Sequence, residues 1–586
     1  VTLWERLAKG SVAPRENDSR MLLHPHRRAI PHLERMRRHR PSEEVDLCVV
    51  GAGAGGSVLA QRLARRGWSV VVLESGKFWD PDRDWVSDEA GSHELYWTET
   101  RVIAGEDPVE LGKNNSGHGV GGSMIHFAGY APRFHPSDFE TRSRDGVGAD
   151  WPIRYAHLKA HYERLERELP VAGQDWPWGD PHWYPHSPHP VSAMAARVWE
   201  GARRSGIEMR VGPVAITNGA FGNRPHCIYR GFCLQGCKVN AKASPLVTHL
   251  PDAIHHGVEV RAQCRATRIE VDGRDRAVGV EYTDLRTHER VMQRAAMVAV
   301  AGYSIETPRL LLLSGGGRFP HGLCNNEDQV GRYVMVQGAT QVAGRFPEEL
   351  RPYKAPPPEV SSEQFYETDE RRGFARGFSL QTVSPLPIGW AEHVIADGHW
   401  GRALREYMRD YNHWATMGSL CELLALPENR VTLADERDAL NLPVARMDYS
   451  QCDNDRRNLE YATALMHELW REAGAQDTLT IGRYAHLIGG CRMGLSPQDS
   501  VCDRDQRTWA VRNLIIADGS ACPTQGSANP ALTIMAMASR LADRLAQGAA
   551  TDDGHPERRR TSYAASLPNG GFAHGAPTPA HAGAAT

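Results

Sequence analysis

The stretch from Val45 to Glu74 reads as strand, glycine turn, helix and second strand, and it constrains the fold more tightly than any other. Residues 45–50 form a short apolar run of the kind buried in a parallel sheet. Gly51, Gly53 and Gly56 follow at G-x-G-x-x-G spacing. In that pattern the first glycine makes the turn, the second lets a pyrophosphate approach the backbone, and the third packs helix on strand. Val58, Leu59 and Leu63 give the helix over residues 57–66 its apolar face, and its N-terminus directs free N–H groups at phosphates. Residues 70–73 make the second strand, and Glu74 at its end can accept both ribose hydroxyls. With 56 glycines in the chain, the bare glycine pattern is expected by chance about 0.5 times, so the strand, the helix and Glu74 carry the argument. They predict a bound dinucleotide. FAD and the nicotinamides share the ADP half that such a unit recognises.

The 586 residues are enough for a large core and for two or more domains. The balance of 68 basic against 71 acidic side chains gives no electrostatic case for nucleic acid. There is no run of eighteen apolar residues, so no membrane span is predicted, and a cytoplasmic location is the expectation. The basic stretch 1–44 has Arg27-Arg28 and Arg37-Arg38 but no apolar segment after them, and reads as a surface arm rather than a leader. Residues 548–586, rich in Ala, Gly, Pro and Arg, are expected to be disordered. Of eleven cysteines only Cys227, Cys233 and Cys237 cluster, which excludes a secreted disulfide scaffold.

Along the chain, residues 45–135, 246–330 and 482–547 read as one Rossmann-like domain assembled from separated pieces. Residues 136–245 and 331–481 read as insertions forming a substrate domain on an antiparallel sheet flanked by helices. The predicted class is therefore mixed α/β and α+β. A second glycine loop, Gly117 to Ser123, has no Lys-Ser/Thr and so is no Walker motif, but it suits close approach to an extended cofactor. Trp151, Trp176, Trp178 and Trp183 are expected to pack in a core or lid, in a region lying away from the nucleotide core. Residues 258–269 and 277–282 alternate like antiparallel strands, and 297–301 is a buried strand. Glu306-Thr307-Pro308 should open a helix at Arg309. Residues 454–473 form an amphipathic helix, 513–518 a strand ending on Asp518-Gly519, and 530–546 a last helix.

Together these pieces resemble the glucose–methanol–choline (GMC) oxidoreductases. The carriers are the loop at Gly51 with Glu74, Val120-Gly121-Gly122-Ser123, and Thr307-Pro308-Arg309 running on to Ser314-Gly315. They continue with His486-Leu487-Ile488-Gly489-Gly490-Cys491-Arg492-Met493-Gly494, and with Asp518-Gly519-Ser520 through Asn529-Pro530. The chain departs from the family at Gly490, where Thr is frequent, at Gly316 after the Ser-Gly, and at Gln337, where many members have His. The sugar-oxidising members, pyranose oxidase and the gluconate and glucoside dehydrogenase large subunits, are the nearest in pattern.

The resemblance implies FAD. Gly51, Gly53, Gly56 and Glu74 would hold its ADP half, and Gly121, Gly122 and Ser123 would lie along the flavin. Asp518 and Gly519 would sit near the pyrophosphate and ribityl chain, and the helix from Pro530 would point its N-terminus at the flavin ring, favouring the anionic reduced form. It also implies alcohol oxidation, with the proton leaving oxygen and a hydride passing from carbon to flavin N5. His486 would take the proton and Asn529 would orient the substrate oxygen. His126 falls where pyranose oxidase and choline oxidase link histidine to flavin; it is either so linked or packed by the ring. The Cys227–Cys233–Cys237 loop resembles one that holds an iron–sulfur cluster in sugar dehydrogenases. Three thiols suit a three-iron cluster, and zinc would need His226 as well, but a relic loop without metal is the reading adopted.

The expected substrate is a small-molecule alcohol, namely a sugar, glycoside or polyol; a long-chain or steroid alcohol is the alternative. Oxygen, a quinone or a protein would reoxidise the flavin, and a small or cytochrome subunit is a candidate partner. A non-catalytic flavin-binding subunit is disfavoured by the presence of His486 and Asn529, and a nicotinamide dehydrogenase by the C-terminal motif.

Overall fold

Leu47, Cys48, Val49 and Val50 carry nothing that needs water, and in the computed structural model they form β1 (Leu47–Val50), the middle strand of a parallel sheet. The structure describes residues 33, 36–85, 87–110, 116–354 and 356–551; the expected arm, up to residue 32, and the expected tail, from residue 552, lie outside them. β1 turns at Gly51 into α1 (Ala54–Ala64) and returns as β2 (Val70–Glu74). Gly51 has φ +105°, and a Cβ there would lie 2.2 Å from the Ala301 carbonyl oxygen, so the turn requires glycine. β3 (Glu259–Ala262) and β4 (Val298–Val300) join from far along the chain. Cys48 stands opposite both Val71 and Val298, and Val71 opposite Glu259.

Two expectations change here. Residues 258–269 are two strands rather than one. The first part is β3, parallel to β2; the backbone turns at Gln263 with φ +57°, and Cys264–Val271 enters a separate three-stranded antiparallel sheet. The Gln263 amide donates to the Gly76 carbonyl and its own carbonyl accepts from Leu285, which anchors the kink. The second change is α2 (Tyr303–Leu313), which begins before Thr307 and contains Pro308. Proline costs the helix one bond to the carbonyl four residues back. Asp518 compensates by capping the start, accepting from the Tyr303 amide at 2.8 Å and from the Thr307 hydroxyl at 2.6 Å.

The second sheet is antiparallel and largely from later sequence. It contains β5 (Met335–Gly338), β6 (Gln341–Arg345), β7 (Phe378–Val383) and β8 (Trp414–Cys421). After α3 (Asp453–Ala473) come β9 (Asp477–Ile481) and β10 (Tyr484–Ile488). The strand order is β9-β6-β8-β7, extended by Val360–Ser362 and Arg210–Val211, while β5 links β8 to β10. α3 covers one face: Trp470 lies over Gly344 and donates to the Val342 carbonyl at 2.8 Å. Side chains alternate along β6, so Gln341 points to the opposite face.

β11 (Leu514–Ile516) completes the parallel sheet beside β4, giving the order β11-β4-β1-β2-β3. α4 (Ala531–Thr551) then packs against α1. It also receives Ala156–Glu168, through Tyr162 Oη to Thr533 Oγ1 at 2.9 Å, so the Trp-rich region expected away from the nucleotide core sends a helix onto it. Trp151 and Trp176 are buried as expected, but Trp183 is 78% exposed, because its two-residue strand pairs only with Asp175–Trp176. Among the described residues no helix is long and apolar enough to cross a membrane.

Candidate active site

One cavity runs from the end of β2, past both glycine loops, to the face of the antiparallel sheet that α3 leaves uncovered. At its first end Glu74 is buried and accepts from the Ala52 amide at 3.0 Å and the Gly76 amide at 2.9 Å. These bonds aim the carboxylate while leaving lone pairs on both oxygens. The two glycine loops touch. Gly121 N donates to Ala52 O at 3.0 Å, and a Cβ on Gly122 would lie 2.7 Å from Gly53 Cα. A Cβ on Gly53 itself would meet only Gly122 Cα, at 3.8 Å, so the space over it is open. No side chain caps α1 there, and its first N–H groups face that space. Gly56 and Gly55 seat the helix: their Cβ atoms would fall 2.1 Å from Gly51 O and 1.8 Å from Ala517 O. Ser123 Oγ accepts from Gly117 N at 2.9 Å and tethers the second loop.

Asp518 is buried and spends both oxygens inside the protein: one on the cap of α2, the other on Ser520 N at 2.9 Å and Ser520 Oγ at 2.5 Å. Burial raises its pKa despite these donors. A Cβ on Gly519 would lie 2.9 Å from Ile534 Cδ1 and 3.0 Å from Ile488 Cγ2, so a side chain there would have to displace these methyls, and Pro530 with Ala531 brings the start of α4 to the cavity wall.

At the far end β10 presents His486, with its backbone at φ +49°. That conformation costs a residue with a side chain about 1–3 kcal/mol, and Gln525 Nε2 holds it by donating to the His486 carbonyl at 2.6 Å. His486 Nδ1 lies 2.7 Å from Gln337 Oε1, and His486 Nε2 lies 3.0 Å from Asn529 Nδ2. The Gln337 amide group donates to the Gly526 carbonyl at 2.9 Å, so its oxygen is the atom facing the imidazole and must accept. The network therefore assigns the proton to Nδ1 and a bare lone pair to Nε2. Removal from bulk water lowers the His486 pKa to about 4, which keeps the ring neutral. Asn529 Oδ1 is buried without a partner. The loop carrying Asn529 is braced: Trp151 donates to Thr524 Oγ1 at 2.7 Å, and Ser527 Oγ donates to Gly377 O at 2.8 Å.

His126 lines the same cavity, edge-on to Tyr96, with Nε2 buried and unpartnered. Burial and the Lys242 ammonium push its pKa down to about 3. Lys242 went unnoticed in the sequence. It is buried, lowered to about 8 by desolvation, and donates to the carbonyls of Ile125, Phe127 and Cys233, each at 2.7 Å. Cys227 and Cys233 are buried and Cys237 half-buried, and all three are free thiols. Burial pushes the Cys233 thiol up to about 12. His226 Nδ1 accepts from the Gly219 amide at 2.8 Å. Among the described residues no group of three His, Cys, Asp or Glu side chains is arranged to hold a metal ion.

Sequence models of GMC oxidoreductase match residues 186–337 and 425–538, and a model of the NAD(P)-binding Rossmann-like domain matches residues 49–78. The 2-methyl-1,2-propanediol dehydrogenase of Mycolicibacterium austroafricanum is 30% identical over 541 residues, covering 86% of this chain and 96% of that one. The chain belongs to the GMC oxidoreductase family. Another relative is the fructose dehydrogenase large subunit of Gluconobacter japonicus, 26% identical over 85% of this chain and 97% of its own. The solved pyridoxine 4-oxidase from Mesorbium loti aligns over 86% of this chain and 99% of its own with TM-score 0.61 at 18% identity, a likeness of fold. The cofactor of this GMC oxidoreductase is FAD, and its class is alcohol or sugar oxidoreductase. The residues fit the cofactor. The carboxylate of Glu74, the open floor over Gly53 and the uncapped start of α1 meet the needs of an adenosine diphosphate, and the cavity continues from there to His486.

Proposed function

We propose that this GMC oxidoreductase oxidises a carbinol of a sugar, glycoside or polyol, with His486 as the base and Asn529 as the group that orients the substrate oxygen. The observation that carries this is the bare Nε2 of His486, turned toward Asn529 on the wall of the FAD cavity. The substrate hydroxyl would donate to Nε2 in place of Asn529, and Asn529 Nδ2 would then donate to the same oxygen. As the C=O bond forms, the hydroxyl proton moves to Nε2 and the carbon releases hydrogen with two electrons. FAD held along this cavity would supply the acceptor for that hydride.

The cofactor roles follow the cavity. Gly51, Gly53, Gly56 and Glu74 hold the ADP half, and Gly121, Gly122, Ser123 and His126 run along the flavin. Asp518 acts by fixing the turn whose Gly519 backbone, with Pro530, borders it. Relatives named for 2-methyl-1,2-propanediol and fructose support a hydroxyl-rich substrate. The acceptor is oxygen, a quinone or a partner protein; relatives named as the large subunit of fructose dehydrogenase and the flavoprotein of gluconate 2-dehydrogenase make a small or cytochrome partner a reasonable part of the proposal.

The test is anaerobic stopped-flow reduction of FAD-replete protein. His486→Ala is expected to keep FAD and slow reduction by roughly 10²–10⁴-fold. Reduction within a few-fold of wild type would place the base elsewhere.

A further inference from the structure

Gln341 on β6 and Gln381 on β7 both stand directly opposite Gly418, one on each side of the strand β8 that separates them. Directly paired residues share a face of a sheet, so the two carboxamides flank a position with no side chain. Two strand spacings put their backbones about 10 Å apart. A Cβ on Gly418 would lie 3.2 Å from Gln341 Cγ and 3.3 Å from Val383 Cγ2, so glycine leaves the room that the row needs. Both glutamines line the cavity that holds His486. Gln341 is 6% exposed, and the Oε1 of each is buried without a partner.

A sheet face has no structural use for two such groups. Leaving a buried amide unsatisfied is destabilising, and an apolar side chain would fill the same wall without that loss. Resting on the assignment of His486 and Asn529 as the oxidising end, we infer that Gln341 and Gln381 form a hydroxyl-binding clamp for the part of the substrate away from the oxidised carbon. Each carboxamide offers a donor and an acceptor, which matches a hydroxyl that both gives and takes a hydrogen bond. The clamp is uncharged. It selects neutral polyhydroxylated substrates over alcohols with a hydrocarbon remainder, because the latter leave both amides dry and unpaired.

The test uses FAD holoenzyme reduced anaerobically by two pairs of probes with a common carbon skeleton: cyclohexanol with myo-inositol, and 1-hexanol with sorbitol. In wild type the polyol of at least one pair should reduce the flavin with kcat/KM about tenfold or more above its mono-ol. Gln341→Met and Gln381→Met keep side-chain length and remove hydrogen bonding; each should lower that ratio about tenfold, mainly through KM of the polyol. If Gln341→Met fails to fold or to hold FAD, Gln381→Met at the half-exposed position decides alone. A preference of wild type for the mono-ol in both pairs, or an unchanged ratio in the folded variants, overturns the clamp while leaving the base assignment standing. Absence of wild-type reduction by any of the four probes sinks the alcohol-oxidising reading for them, and the clamp with it.

Discussion

Gln337 Oε1 accepts from His486 Nδ1 at 2.7 Å while the same carboxamide donates to the Gly526 carbonyl at 2.9 Å. The second bond fixes which end of the amide meets the imidazole, and the first fixes which imidazole nitrogen is bare. Gln337 is thus a positioning residue, acting through His486. Glutamine held by the Gly526 carbonyl presents only an acceptor to the imidazole.

Replacing Gln337 should therefore change the behaviour of His486. Gln337→Leu removes the acceptor and frees the tautomer, and should slow flavin reduction about tenfold without loss of FAD. Gln337→Glu places a carboxylate beside the imidazole, favours its charged form and raises its pKa from about 4. The acid limb of the reduction rate should then move to higher pH. A merely structural role would lower stability in both variants and leave the limb where it is, which the pH profile of reduction by stopped flow separates.

Asn529→Ala should slow reduction by less than His486→Ala, because orientation is lost while the proton acceptor stays. Its KM should rise along with the fall in rate, since Asn529 Nδ2 is the donor proposed for the substrate oxygen. Equal losses in the two variants, with unchanged flavin affinity, would show that the two side chains act as one unit and refute the division of roles.

Much of the nucleotide half could be read in advance because its determinants are local. The turn at Gly51, the helix after it and Glu74 lie within 24 residues, from 51 to 74, and each has one steric or hydrogen-bonding reason to be there. Gly55 escaped notice because its constraint comes from the distant Ala517 carbonyl, 1.8 Å from where its Cβ would stand. Pro308 looked like a helix start because proline usually marks one, whereas the side chain of Asp518, 210 positions on, caps the helix earlier. Gln263 broke a strand that periodicity read as continuous. In the candidate site His486 and Asn529 were legible by motif, but the Gln337 contact spans 149 positions and the Gln341–Gly418–Gln381 row exists only in register. Pattern reaches neighbours along the chain; pairings across a sheet need the fold.

Stability should fall on both sides of neutral pH, for different histidines. His486 and His126 have folded pKa values lowered to about 4 and about 3, below the ordinary 6.5 of the unfolded chain. The unfolded state then binds more protons as pH drops, so stability declines from about pH 6.5 downward. His135 is the reverse. Its two nitrogens face Glu363 and Glu367, each at 2.9 Å, and these carboxylates outweigh burial and raise it to about 9. Its contribution is complete below pH 6.5 and is lost as pH rises through about 9. Thermal melts from pH 4 to 10 should show both limbs, with His135→Phe flattening the alkaline one and leaving the acid one. An alkaline limb unchanged in that variant would show that other groups cause it.

The two middle glycines of the first loop should fail in different ways. Gly53 has an ordinary φ of −83°, and a Cβ there meets only Gly122 Cα at 3.8 Å, so Gly53→Ala has no clash to relieve in the protein alone. The added methyl occupies the floor where the pyrophosphate lies against the backbone. Purified Gly53→Ala should melt close to wild-type apoprotein yet retain little FAD, read as the ratio of flavin absorbance to protein absorbance. Gly55→Ala pushes a methyl to within 1.8 Å of the Ala517 carbonyl oxygen, which is backbone and packed between α1 and the turn at Asp518. That overlap cannot be absorbed by a side-chain rotation, and it falls in the core whether or not the cofactor is bound. Gly55→Ala should therefore destabilise apoprotein and holoprotein alike by several kcal/mol, on the order of the larger core-overpacking losses. If Gly53→Ala keeps full FAD, the dinucleotide does not lie over this turn. If instead both variants lose the flavin with apoprotein melts unchanged, the contact between α1 and the Ala517 turn is not what glycine is needed for at position 55.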